Sequence, residues 1–172
     1  MHSEPLEGQQ IWAEMPNFTA VMKSQITIRP ATKADFAVLV ANNQAMAMET
    51  ENRQLDNQIL SGCVQNLLDD PNKGFYIVAE ENGQVVGNLM ITKEWSDWRN
   101  GDMWWFQSVF VHPEHRGKGI FKALYQHVMA LAKENGIKEL RLYVEHDNVV
   151  AQKVYAALGM VKSHYDMWEV GV

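Results

Sequence analysis

One cysteine, Cys63, is all that the chain contains, so neither an intrachain disulfide nor a thiolate zinc cluster can form, and a reducing cytoplasm is the expected setting. Basic residues are outnumbered: 15 Lys and Arg against 21 Asp and Glu leave a formal charge of -6. That balance disfavours a nucleic-acid partner, which is bound through clustered Lys and Arg, and suits a cationic substrate better. No apolar run approaches the roughly 18 residues of a membrane span, so insertion into a bilayer is not expected. The opening MHSEPLEGQQIWAEMPNF lacks both the basic start and the continuous apolar stretch of a secretory signal. We read residues 1–24 as an N-terminal extension ahead of one domain at 25–172, a length that suits a single core.

Several chemical motifs are missing too. A P-loop closes on Gly-Lys-Ser/Thr, but Gly117-Lys118 is followed by Gly119. A dinucleotide GxGxxG fingerprint starting at Gly117 meets Lys122 where its third glycine belongs. His112 and His115 lack HExxH spacing and a third ligand, so a polar loop explains them and no metal is expected.

What is present is a mixture of the two apolar periods. Gln25 to Arg29 alternates Ile26 and Ile28 with polar neighbours, a strand pattern that Pro30 ends. Thr32 and Asp35 resemble a helix start leading into Phe36 to Ala47, and a second helix over Asp56 to Leu68 places Ile59, Cys63, Leu67 and Leu68 on one stripe. Phe75 to Glu80, Val85 to Thr92 and Met103 to Val111 read as a three-strand meander, with a polar turn from Ser96 to Gly101. A long helix over Gly119 to Asn135, a strand over Glu139 to Glu145, a helix over Val149 to Leu158 and a last strand or hairpin over Val161 to Val170 follow. Antiparallel strands between helical units indicate an α+β domain with a mixed, mostly antiparallel sheet and helices on both faces.

The most informative stretch runs from Val109 through Phe110, Val111, Arg116, Gly117, Lys118, Gly119, Ile120 and Phe121 to Lys122. A glycine-rich turn entering a helix leaves main-chain N–H groups unpaired at the positive end of the helix dipole, a ready site for phosphate oxygens. Taken alone, two glycines make only a tight turn. The pattern Q/R-x-x-G-x-G/A nevertheless matches in five of six positions, and it resembles the acetyl-CoA diphosphate loop of the GNAT N-acetyltransferases. Phe121 is the departure, standing where that family has Gly or Ala. A second match comes thirty residues on, where Asn148, Ala151, Tyr155 and Gly159 resemble the family's NxxAxxxYxxxG signature. Seven residues are close to two helical turns, so Asn148 and Tyr155 project from nearly one face about 10 Å apart, with Ala151 between them. Their bland readings are an N-cap and a core tyrosine.

The resemblance implies direct transfer of an acetyl group from acetyl-CoA to a primary amine. Val109 and Val111 offer backbone groups to the pantetheine arm, the Val109 N–H polarises the thioester carbonyl, and Tyr155 protonates the departing thiolate. From Val85 onward the chain is similar to the polyamine acetyltransferases, whose base is a glutamate on the fourth strand. Gln107 stands at that position here, and an amide is not a base. Glu145 is therefore the first candidate base, with Glu49 and Glu51 next, although such residues are more often solvated surface charges. Gln107, Glu49, Glu51 and Asp97, the last in the turn Glu94 to Asn100, are assigned to the acceptor pocket. The acceptor is expected to be a small-molecule amine such as a polyamine, amino acid or aminosugar; a protein amine, or acyl-CoA binding without turnover, stays open. The four tryptophans from Trp95 to Trp105 offer contact area for a homodimer.

Overall fold

The computed structural model describes residues 25–172, so the stretch read as an N-terminal extension lies outside the described residues. Strand β1 (Ile26–Pro30) leads into a 3-10 turn at Lys33–Asp35. There the Asp35 carboxylate accepts from both the N–H and the hydroxyl of Thr32, at 2.7 and 3.1 Å, which secures the entry to helix α1 (Phe36–Glu51). Helix α2 (Asn57–Asp69) follows, capped by Asp56, whose Oδ1 accepts from the amides of Gln58 and Ile59 at 2.9 Å. Strands β2 (Gly74–Glu81), β3 (Gln84–Ser96) and β4 (Gly101–Val111) form the meander. Helix α3 (Ile120–Glu134), the short strand β5 (Glu139–Arg141) and helix α4 (Val149–Ala157) complete the order.

The strands lie in the order β1-β2-β3-β4-β5, antiparallel throughout except that β5 runs parallel to β4. This is the mixed α+β sheet that the patterning indicates, and both of its faces are covered. Alternate residues of β2 divide between them: Ile77 and Ala79 meet the α3 stripe Ile120, Leu124, Val128 and Ala132, while Tyr76 and Val78 meet Leu39, Leu60, Val64 and Leu67 from α1 and α2. Leu124 is fully buried there, and its truncation to alanine would cost about 2–5 kcal/mol.

Four expectations need correction. The buried stripe of α2 is Leu60, Val64 and Leu67, whereas Ile59 is 68% exposed and Cys63 is exposed, so the reading set the helix one residue out of phase. Strand β5 stops at Arg141 instead of reaching Glu145, because the chain there turns away from β4. No strand forms from Val161 to Val170: the segment has strand composition, but a strand also needs a neighbouring ladder, and Val161, Tyr165, Met167, Trp168 and Val170 are exposed. Of the four tryptophans, Trp104 is buried and Trp105 donates to Glu94 Oε2 at 2.5 Å, which leaves Trp95 and Trp98 exposed.

Candidate active site

After β4 the chain makes a 3-10 turn at Pro113–His115, and then Gly117 and Gly119 take left-handed φ values of 73° and 81° before α3 begins. A Cβ at either glycine would meet nothing within 4 Å, so it is the backbone conformation, and not crowding by the protein, that calls for glycine. Among the described residues no protein acceptor is found for the amides from Gly117 to Lys122. The first closed bond of the helix is Ala123 N–H to Gly119 O at 3.0 Å. With Lys118 and Lys122 exposed beside them, these donors fit a diphosphate.

Arg116 is held elsewhere. Its two terminal nitrogens donate to the two carboxylate oxygens of Glu49 at 2.6 Å each, and its Nε donates to Val111 O at 2.9 Å. The Arg116 guanidinium holds the Glu49 carboxyl below the usual range, against the opposing effect of burial. Glu49 therefore reaches the loop as a fixed anion from the last turns of α1. Glu51, two residues on, is exposed.

Beside the loop, β4 and β5 part. Only Met103, Trp104 and Trp105 pair with β5, opposite Glu139, Leu140 and Arg141, so the six residues of β4 from Phe106 to Val111 have no strand on that side. The same stretch is irregular on its β3 side. Asn88 pairs with Phe110 and Met90 with Gln107, which leaves Leu89 opposite two residues, Ser108 and Val109. Ser108 adopts a left-handed φ of 47° at this bulge. Just past the last β4–β5 pair, Tyr143 Oη donates to Gln107 Oε1 at 2.7 Å and spans the gap.

Tyr155 stands on α4, half-buried, with its ring edge-on to Phe121 at 5.6 Å. Phe121 leans on Tyr125 at 6.3 Å, which stacks on Phe106 of β4 at 5.7 Å, so a file of aromatic rings joins the helix bearing Tyr155 to the sheet. The unexpected Phe121 side chain is thus directed into this packing. Burial pushes the Tyr155 hydroxyl up, and among the described residues it bonds no protein group. Asn148 caps α4, its Oδ1 accepting from Ala151 N–H at 3.0 Å.

The remaining residues named from sequence are scattered. Glu145 sits exposed in the loop between β5 and α4, where its carbonyl accepts from Gln152 Nε2 at 3.0 Å. Asp97 lies exposed at the tip of the β3–β4 hairpin, with Trp98 N–H donating to it at 2.8 Å. Gln107 lies six residue steps along β4 from its start at Gly101, about 20 Å at the usual rise. The structure does not bring Asp97 into the cleft. Sequence reasoning passed over Ser108, Tyr143, Asn88 and Asn42, and only Gly87-Asn88, a polar residue amid an apolar strand, gave a signal. No three His, Cys, Asp or Glu side chains gather as a metal site among the described residues.

Comparison with known proteins agrees with this geometry. The chain is similar to the L-methionine sulfoximine/L-methionine sulfone acetyltransferase of Salmonella typhimurium, 29% identical with 86% of each chain covered. It is also 28% identical to the L-amino acid N-acyltransferase MnaT of Escherichia coli, over 79% of this chain and 80% of that one. A solved structure of a possible acetyltransferase from Clostridium difficile 630 superposes with a TM-score of 0.80 at 42% identity, covering 86% of this chain and 97% of the other. The model of the acetyltransferase (GNAT) family matches residues 40–160, from within α1 to just past α4. On that ground the chain belongs to the GNAT family, N-acetyltransferases that draw their acetyl group from acetyl-CoA.

Proposed function

We propose that this protein acetylates the primary amine of a small molecule, with an amino acid as the favoured acceptor class. The observation that carries the reading is the run of unpaired amides at Gly117 to Lys122, set beside the gap between β4 and β5. In this reading the amides grip the diphosphate, while the main chain of Val109, Phe110 and Val111 lines the pantetheine arm. Asn148 and Ala151 flank it from α4.

Tyr155, kept protonated by burial, donates to the leaving sulfur. The attacking amine must lose a proton. Glu49 is committed to Arg116, so of the two remaining candidates Glu145, in the loop that leaves β5, rather than Glu51, at the end of α1, takes that proton, through water. At Gln107 a neutral amide faces the acceptor where the polyamine enzymes carry a carboxylate, which favours an amino acid over a polycation. The amino-acid acceptors named for the two curated relatives support the same choice.

Residues 25–172 form the acetyltransferase domain in this reading, with 1–24 appended to it, and exposed Trp95 and Trp98 supply the contact of a homodimer. The deciding experiment follows thiol release from acetyl-CoA over a panel of amino acids, polyamines, aminosugars and peptide N-termini. Amino acids are expected to give the highest kcat/KM. Turnover confined to peptides or polyamines would overturn the acceptor class, and coenzyme A binding without thiol release on any amine would reduce the protein to a binding module.

A further inference from the structure

Two asparagines occupy positions that ordinarily go to apolar side chains. Asn88 on β3 is 0% exposed and Asn42 on α1 is 1% exposed. They are joined: Asn42 Nδ2 donates to Asn88 Oδ1 at 2.7 Å, and Asn88 Nδ2 donates to the Ser108 carbonyl at 3.1 Å. Buried amides are tolerated only when paired, and a connected pair specifies one arrangement of the groups that it holds.

What this pair holds is the bulge of β4. Ser108 keeps a left-handed φ of 47°, unfavourable for a residue with a side chain, so its surroundings must enforce it. The Ser108–Val109 peptide is planar and trans, hence its C=O and N–H point in opposite directions. Turning the Ser108 carbonyl toward the Asn88 side chain therefore turns the Val109 N–H the opposite way, away from that side chain.

We infer that Asn88, steadied by Asn42, is the positioning residue that aims the Val109 amide at the acetyl group to be transferred. The inference rests on the proposed reading, in which the gap between β4 and β5 receives the thioester. Neither asparagine touches a reacting atom. Their effect passes through one peptide plane, whose donor is useful only if it already points at the oxygen on which charge develops. Because Asn42 belongs to α1, the same relay ties that helix to the donor amide.

The test is a double-mutant cycle with kcat, KM and coenzyme A affinity read separately. Asn88→Leu keeps the bulk and removes the bond to Ser108. Its kcat should fall at least tenfold while coenzyme A affinity by calorimetry and KM for the amine stay within threefold. Asn42→Ala should lower kcat about threefold alone and add nothing to Asn88→Leu. A loss of coenzyme A affinity in parallel with kcat, or full additivity of the two substitutions, would assign the pair a general structural role and overturn the inference. Should Asn88→Leu not fold, an unchanged kcat in Asn42→Ala does the same. Wild-type protein that fails to bind coenzyme A sinks the functional reading instead, and wild-type turnover matched by Asn88→Leu sinks only the role given to Asn88.

Discussion

Arg116 and Glu49, 67 residues apart in the chain, meet through two parallel contacts of 2.6 Å. With Val111 O as a third acceptor, the guanidinium braces the glycine turn between β4 and α1. Both side chains are over 40% exposed, so the pair is worth little by itself, about 1 kcal/mol or less. Glu49→Ala is expected to weaken coenzyme A binding about two- to fivefold, and Arg116→Ala by no less, because a loosened turn presents its amides poorly. Calorimetry decides the sign. Tighter binding by Glu49→Ala would mean that Arg116 leaves the carboxylate for the diphosphate.

Tyr155→Phe separates a hydroxyl from a ring. The substituted ring retains the edge-on contact with Phe121 at 5.6 Å, so the helix should stay in place. Turnover is expected to fall at least tenfold, with acetyl-CoA affinity nearly unchanged. Since burial raises the hydroxyl's pKa, wild-type kcat should show no loss from tyrosine ionisation below pH 10, about its ordinary value. A kcat for the variant within twofold of wild type would remove Tyr155 from the chemistry.

Phe121→Ala probes the file of rings. It withdraws the support that Tyr155 and Tyr125 share, so kcat should drop about threefold or more together with a stability loss of about 1–3 kcal/mol by urea unfolding. Phe121→Leu should restore most of the stability but less of the rate. Equal recovery of both would show that only volume matters there.

Acid should unfold the protein through its first turn. Hydrogen bonds from Arg29 at 2.8 and 2.9 Å hold the Asp35 carboxyl down to about 2, against burial, with Thr32 helping. A lowered folded-state pKa means that the stabilisation is complete above the ordinary carboxylate value near 4 and is lost as pH falls through about 2. Its size is on the order of 2 kcal/mol. Asp35→Asn should therefore be less stable at pH 7, and its unfolding free energy should change less between about pH 4 and pH 2. Parallel curves for the two proteins would place the acid sensitivity elsewhere.

Coenzyme A should raise the melting temperature. A ligand lying along the open side of β4 binds only the folded chain, and at a hundred times Kd it adds about 2.7 kcal/mol, or roughly 5–10 °C for a domain of this size. A shift below 1 °C at saturation would contradict the proposed site.

How far the sequence led depended on whether a feature is local. The glycine turn, the helix from Gly119 to Asn135 and the Asn148 cap each depend on residues a few positions apart, and all were legible. The bulge was not, because a register slip belongs to two strands, and Ser108 carries no mark that says it faces Leu89. Asn42 and Asn88 are 46 residues apart, and nothing in either segment announces the other. Periodicity misjudged α2 by one residue because Ile59 and Cys63 are apolar enough to simulate the stripe that Leu60 and Val64 form. Strand propensity extended β5 and supplied a strand after Val161 because it reports what a segment tolerates and not where its neighbours go.

The parting of β4 from β5 divides labour along one strand. A row of peptide groups recognises any linear molecule whose amides are spaced like its own, whatever acyl cargo that molecule bears. In the proposed reading, discrimination among cargoes, and among the amines that collect them, then falls to the side chains at the fork, Trp105, Gln107 and Tyr143. Substitutions there are expected to change which acyl group or amine is accepted while the hold on the carrier is left alone.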